Sequence, residues 1–244
     1  MGSKVDPIEI KANIGGDVDE ALTRLGLESG AGREREIWFL DDLTEGLAPA
    51  LPLLNSGVIL RLRRPKEHGG KEDSTVKLRP CRRSQLVSMW DTSRKHDPEY
   101  RIEGDWSRKR HVLAASCVAE LKPGTIDRAL DGAVSGLFSE PQRAFLSDCS
   151  DIRFTFTGVS VLGPIASMQW KDFAVGEVDH LTAERWTVSG MDFLELSIRI
   201  ETGADDAATE QHRLEKQVQH LDLEFDTSKD PKTDRVMKHL AGLD

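Results

Sequence analysis

Cysteine is scarce in this chain of 244 residues: Cys81, Cys117 and Cys149 are the only three. Their number is odd and no two share a Cys-x-x-Cys spacing, which excludes a disulfide framework and a zinc site and leaves free thiols as the expectation. Long apolar runs are missing, so no membrane-spanning helix is expected. The sequence shows no signal-peptide pattern, and a cytoplasmic location is the expectation. Positive charge is in deficit, with 33 Lys and Arg against 42 Asp and Glu and a net charge of −9. That balance argues against general nucleic-acid binding and against anionic membranes. The seven histidines fall without ligand spacing and read as structural or solvated. Gly69-Gly70 precedes a strand, whereas a phosphate-cradling glycine loop precedes a helix, so this pair reads as a turn.

What the chain does have is alternation. Side chains along a strand point to opposite faces. In GVILRLRR, residues 57–64, Arg61 and Arg63 therefore share one face and Val58, Leu60 and Leu62 the other. In STVKLR, residues 74–79, Lys77 and Arg79 oppose Val76 and Leu78. The same division recurs elsewhere. Glu9, Lys11 and Asn13 oppose Ile8, Ile10, Ala12 and Ile14; Arg101 and Glu103 flank Ile102; Gln169 and Lys171 oppose Met168 and Trp170; Glu195, Ser197, Arg199 and Glu201 oppose Leu194, Leu196, Ile198 and Ile200. With Glu120 and Lys122 opposing Ala119 and Leu121, and Arg153 opposing Phe154, these faces hold ten Lys or Arg but only five Glu, in an acidic protein. Basic residues gathered on one surface make a field that attracts an anion.

Strands are expected at Ile8–Ile14, Arg35–Asp42, around 58–64 and 74–79, and at Tyr100–Asp105, Val112–Lys122, Asp151–Leu162, Ile165–Ala174, Arg185–Ser189 and Asp192–Thr202. Between them lie amphipathic helices. One runs through Val18, Ala21, Leu22 and Leu25 behind Asp17 as cap, and one from Thr125 to Leu137. A turn of helix follows at Pro141–Leu146, then a helix from Asp205 or Asp206 to about Leu221, then one opening at Asp230-Pro231. Each helix must bury its apolar stripe, and the uncharged strand faces are the large apolar surface available. Helices then lie outside and the charged faces turn inward. The reading is an α+β fold, an antiparallel β-barrel with a charged bore, and a single domain over residues 5–244. Charges facing one another in a bore are costly unless paired, hydrated or liganded.

The order of these elements resembles the CYTH superfamily, the triphosphate tunnel metalloenzymes. An opening strand alternates Glu and Lys; LRLRR, TVKLR and Arg-x-Glu follow; a late strand alternates acids, and the C-terminus carries Lys-x-x-Arg. The resemblance implies an eight-stranded tunnel that holds a triphosphate or polyphosphate. It implies substrate binding by Arg61, Arg63, Lys77, Arg79, Arg101, Lys171, Lys232 and Arg235. It implies catalytic roles for Lys11 and Glu9, and Mg²⁺ or Mn²⁺ held by Glu9, Glu195 and Glu103. Two positions depart from the pattern: Pro7 stands at the first Glu of the opening signature and Ser197 at the second acid of the late strand. Proline has no ligating group, and a neutral hydroxyl is a poor substitute for a carboxylate towards Mg²⁺. The expectation is a metal-dependent phosphohydrolase, weakened at its metal end, on a triphosphate or polyphosphate. The alternative is a tunnel that binds such a ligand, or a nucleotide, without turning it over.

Overall fold

The computed structural model describes residues 7–43, 51–67, 69–94, 98–108, 110–134, 136–153, 155–156, 158–201 and 204–243. In chain order the elements are β1 (Ile8–Ile14), α1 (Val18–Arg24), β2 (Arg33–Asp42), α2 (Pro52–Asn55), β3 (Val58–Pro65) and β4 (Asp73–Cys81). There follow β5 (Glu99–Ser107), β6 (Arg110–Glu120), α3 (Thr125–Leu130), α4 (Glu140–Cys149) and β7 (Val159–Val175). The chain ends with β8 (Val178–Val188), β9 (Met191–Ile200), α5 (Ala204–His220) and α6 (Lys232–Leu240). The strands are hydrogen-bonded in the closed order β1-β5-β6-β4-β3-β2-β7-β8-β9. A closed α+β barrel is therefore present, but with nine strands where eight were expected. One of its ladders, β1 with β5, is parallel.

Three local expectations change. The two strands expected at Asp151–Leu162 and Ile165–Ala174 are one, β7, which starts only at Val159. Gly163 lets that strand pass close to β2: a Cβ there would lie 2.9 Å from Trp38 Cδ1 and 3.0 Å from the Ile37 carbonyl, and its φ is +135°. The helix expected from Thr125 to Leu137 ends at Leu130. Gly132 and Gly136 beyond it have φ of +95° and +88°, which a helix cannot accommodate. α6 is capped by Pro231, not Asp230; Asp230 instead accepts from Lys238 Nζ at 2.7 Å.

The residues group into two compact units. The first comprises the described residues of Met1–Arg35, Glu103–Val112 and Ala166–Lys229. Its core joins Ile8, Ile10, Ala12 and Ile14 of β1, Leu194, Leu196 and Ile198 of β9, and Leu181 and Ala183 of β8 to α1 (Val18, Ala21, Leu22) and α5 (Ala207, Leu214, Val218). Asp17 caps α1 by accepting from Glu20 N at 2.9 Å. The second unit comprises Glu36–Ile102, Leu113–Ile165 and the described residues of Asp230–Asp244. There Val58, Leu60 and Leu62 of β3 and Val76 and Leu78 of β4 pack with Ile126 and Ala129 of α3 and Phe145 and Leu146 of α4. Gln142 of α4, fully buried, donates to the carbonyls of Ser74 and Cys117, both at 3.0 Å, and so ties the helix to β4 and β6. In both units helices pack on the apolar strand face, α1 and α5 in the first and α3 and α4 in the second. The three cysteines are free and buried.

Candidate anion-binding site

The second unit carries the cationic face. Antiparallel register puts Ile59 opposite Lys77, Arg61 opposite Thr75, and Arg63 opposite Asp73. Residues directly opposite share a face, so Arg61, Arg63 and Lys77 lie on one side of the β3–β4 ladder, together with Thr75 and Asp73. β6 extends the same face with Ser116 opposite Lys77 and Val118 opposite Thr75. Arg63 Nε donates to both oxygens of Asp73, at 3.0 and 3.1 Å. Arg61 Nη2 lies 3.4 Å from Thr75 Oγ1. β6 also brings Glu120, opposite Asp73, onto this face, so three cations stand beside two carboxylates, and the side chains of Arg61, Arg63 and Lys77 are half-buried. Arg64, on the opposite side of β3, is a structural group: it donates to Glu36 and Asp127 and its guanidinium lies 4.9 Å from the Trp38 ring centroid.

The other expected phosphate contacts are less well joined to this face. A register break follows Leu78, so the ladder does not assign Arg79 to the Lys77 row. Arg101 is engaged by Glu99, with Nε and Nη2 each donating at 2.6 Å. In α6 Lys232 is buried and Arg235 half-buried. Lys171 is in the first unit, exposed and next to a bulge in β7.

The first unit has a face of different character. Glu9 sits opposite Arg199 of β9 and Asp105 of β5; Lys11 sits opposite Ser197 and Ser107; Asn13 sits opposite Glu195, which in turn sits opposite Glu184 of β8. Lys11 Nζ is 3.0 Å from Glu9 and 2.9 Å from Asp105. Arg199 is 2.7 Å from Glu103, which is only 4% exposed. Arg35 is 2.8 Å from Glu184, which also accepts from Ser167 Oγ. Here the carboxylates Glu9, Glu103, Asp105, Glu184 and Glu195 outnumber the cations Lys11, Arg35, Lys171 and Arg199. The basic excess expected over all strand faces is therefore confined to the second unit.

Asp105, Arg35 and Glu184 were not among the expected site residues, although the signal was present. Arg101, Glu103 and Asp105 fall at i, i+2 and i+4, and the alternation simply runs two residues further than the Arg-x-Glu motif. Arg35 and Glu184 are separated by 149 positions, and only folding brings them together.

The expected metal ligands can be tested on the same geometry. Among the described residues no three His, Cys, Asp or Glu side chains cluster as a cation site. Of the expected set, Glu9 already holds the Lys11 ammonium and Glu103 the Arg199 guanidinium, while Glu195 lies four residues along β9 from Arg199, opposite Asn13. Mg²⁺ asks for several charged oxygens converging in near-octahedral geometry. As folded, these residues do not fit it. Pro7 lies just before β1, and its carbonyl accepts from Gly104 N at 2.9 Å, so it serves the backbone.

No family model matches the sequence, and no curated protein matches it. Solved structures do. A Bacillus halodurans protein provisionally assigned as an adenylate cyclase aligns with a TM-score of 0.59 and 12% identity, over 95% of this chain and 98% of that one. A Hippeastrum protein, HpAC1, provisionally assigned as an adenylyl cyclase and described as having a dominant triphosphatase activity, aligns with a TM-score of 0.59 and 13% identity over 96% of each chain. Both are CYTH-fold proteins, and this chain shares their fold. At such identity the likeness concerns the fold alone.

Proposed function

We propose that this chain binds a triphosphate-bearing small molecule or a short inorganic polyphosphate through Arg61, Arg63 and Lys77. The observation that carries the proposal is the shared face of these three cations on β3 and β4, which outnumber the two carboxylates of the same rows, Asp73 and Glu120. Guanidinium groups meet phosphate oxygens in planar, two-pronged geometry, and a lysine adds a point charge. Thr75 and Ser116 supply hydroxyl groups in the same rows.

Slow hydrolysis of the same ligand is a second reading, favoured by the triphosphatase activity described for the Hippeastrum neighbour. Catalytic roles for Lys11 and Glu9 belong to that reading. No step through a bound metal follows from the residues as arranged.

The test of binding is a thermal melt with inorganic triphosphate, orthophosphate and a nucleoside triphosphate. A ligand that binds only the folded chain raises the midpoint by mass action. Triphosphate and the nucleotide should raise it at concentrations where orthophosphate does not. Equal, small shifts for all three would refute recognition of a phosphate chain. For the second reading, phosphate release is followed across an Mg²⁺ and Mn²⁺ titration in the parent and in Glu9→Ala. Slow release that disappears in the variant supports it, and release unaffected by the variant removes Glu9 from the chemistry.

A further inference from the structure

The arrangement around Lys11 carries an inference of its own. Glu9 and Asp105 lie side by side on adjacent parallel strands. The Lys11 side chain is 10% exposed, that of Asp105 8% and that of Glu9 25%, so two carboxyl groups lie in a partly shielded place with an ammonium 3.0 and 2.9 Å from them. Like charges so placed need a cation between them. A divalent ion bridging two carboxylates would occupy the same position. Of the neighbouring register positions, Ser197 and Ser107, on either side of Lys11, add no charge, while Arg199, opposite Glu9, is engaged by Glu103 at 2.7 Å.

We propose that Lys11 is a built-in counter-cation, its ammonium taking the place between Glu9 and Asp105 that a divalent metal would otherwise fill. Asp105 is then a positioning residue for Lys11. Removing the ammonium should turn the carboxylate pair into a divalent-cation site. The inference concerns the first unit alone and does not depend on phosphate binding at Arg61, Arg63 and Lys77, which the test leaves untouched.

The experiment uses Mn²⁺ alone, with no phosphate present, and counts bound ion by loss of the free-ion electron paramagnetic resonance signal. Four chains are compared: the parent, Asp105→Asn, Lys11→Met, and Lys11→Met with Asp105→Asn. The quantity read is the binding that depends on Asp105, which subtracts any ion held elsewhere on an acidic surface. It should be zero in the parent. In Lys11→Met it should amount to one ion per chain, held roughly tenfold or more tighter than any ion in the parent. An Asp105-dependent ion already present in the parent would overturn the proposal. So would a folded Lys11→Met chain that shows none. If Lys11→Met folds only when Mn²⁺ is added, that supports the proposal directly. If it does not fold at all, Lys11→Gln takes its place and is judged by the same difference, because its amide still donates to one carboxylate while removing the charge.

Discussion

Replacing Arg61 and Arg63 together by alanine should abolish triphosphate recognition while leaving the fold almost unchanged, and the two effects can be separated in magnitude. Without ligand, the variant loses the Arg63–Asp73 pair, whose side chains are 23% and 22% exposed, and a long Arg61–Thr75 contact of 3.4 Å. A partly hydrated pair of that kind contributes at most about 1 kcal/mol. For a chain of this size that is a fall of roughly 2–4 °C in the melting midpoint. With ligand the loss is larger. A charge-assisted hydrogen bond is worth about 1.5–3 kcal/mol, so two of them weaken binding by roughly two to four orders of magnitude. At a triphosphate concentration near a hundred times the parent's Kd, the parent gains about 2.7 kcal/mol, or roughly 5–10 °C. The double variant should gain about 0.4 kcal/mol or less under the same conditions, a shift of at most about 1–2 °C. The assay is a pair of melts, with and without triphosphate, on each protein. A variant that melts within a few degrees of the parent yet shifts by the same amount with triphosphate would refute the assignment of the anion to this face.

Other outcomes follow from groups away from that face. Gln142→Leu removes two donors to buried carbonyls on β4 and β6. It should cost about 2–4 kcal/mol, seen as a lower urea midpoint with an unchanged slope. Burial pushes the Cys81 thiol up to about 11, and all three thiols are buried. A thiol reagent at pH 8 should therefore react with all three in denaturant and hardly at all in native buffer. The imidazole of His180 lies 2.6 Å from Asp172, and this hydrogen bond raises its pKa above 6.5. A raised histidine pKa means the pair's contribution is present in full below the unfolded value of about 6.5 and is lost as pH rises through the folded one. An NMR titration should show the midpoint fall towards the ordinary value in Asp172→Asn, and an unmoved midpoint would contradict the pairing.

Much of the scaffold was legible from alternation alone. β1 alternates buried and half-buried residues along its whole length, and β3, β4 and β9 do so over Leu60–Arg63, Val76–Arg79 and Leu194–Ile198. The second unit's cationic face was legible for the same reason, because Arg61, Arg63 and Lys77 need only the strand repeat and one neighbouring ladder. The strand count was not. Gly163-Pro164 reads as a break between strands, yet β7 runs straight through it because the missing Cβ admits Trp38 and the Ile37 carbonyl. The parallel pairing of β1 with β5 joins segments about ninety residues apart, and no local pattern records it. The character of the first unit's face was hidden for a related reason. Counting charges strand by strand gives a basic excess, but the neutralisation of Glu9 and Asp105 by Lys11, of Glu103 by Arg199 and of Glu184 by Arg35 is set by register.

The most direct test is a calorimetric titration of the parent chain with inorganic triphosphate, run once in excess chelator and once in excess Mg²⁺. In this account the phosphate charge is met by Arg61, Arg63 and Lys77, while Glu9, Asp105, Glu103 and Glu184 of the first unit are already engaged by Lys11, Arg199 and Arg35. It predicts saturable binding at one site in the chelator, with a Kd close to that in Mg²⁺. Binding that vanishes in the chelator and returns with Mg²⁺ would contradict it, as would no binding under either condition.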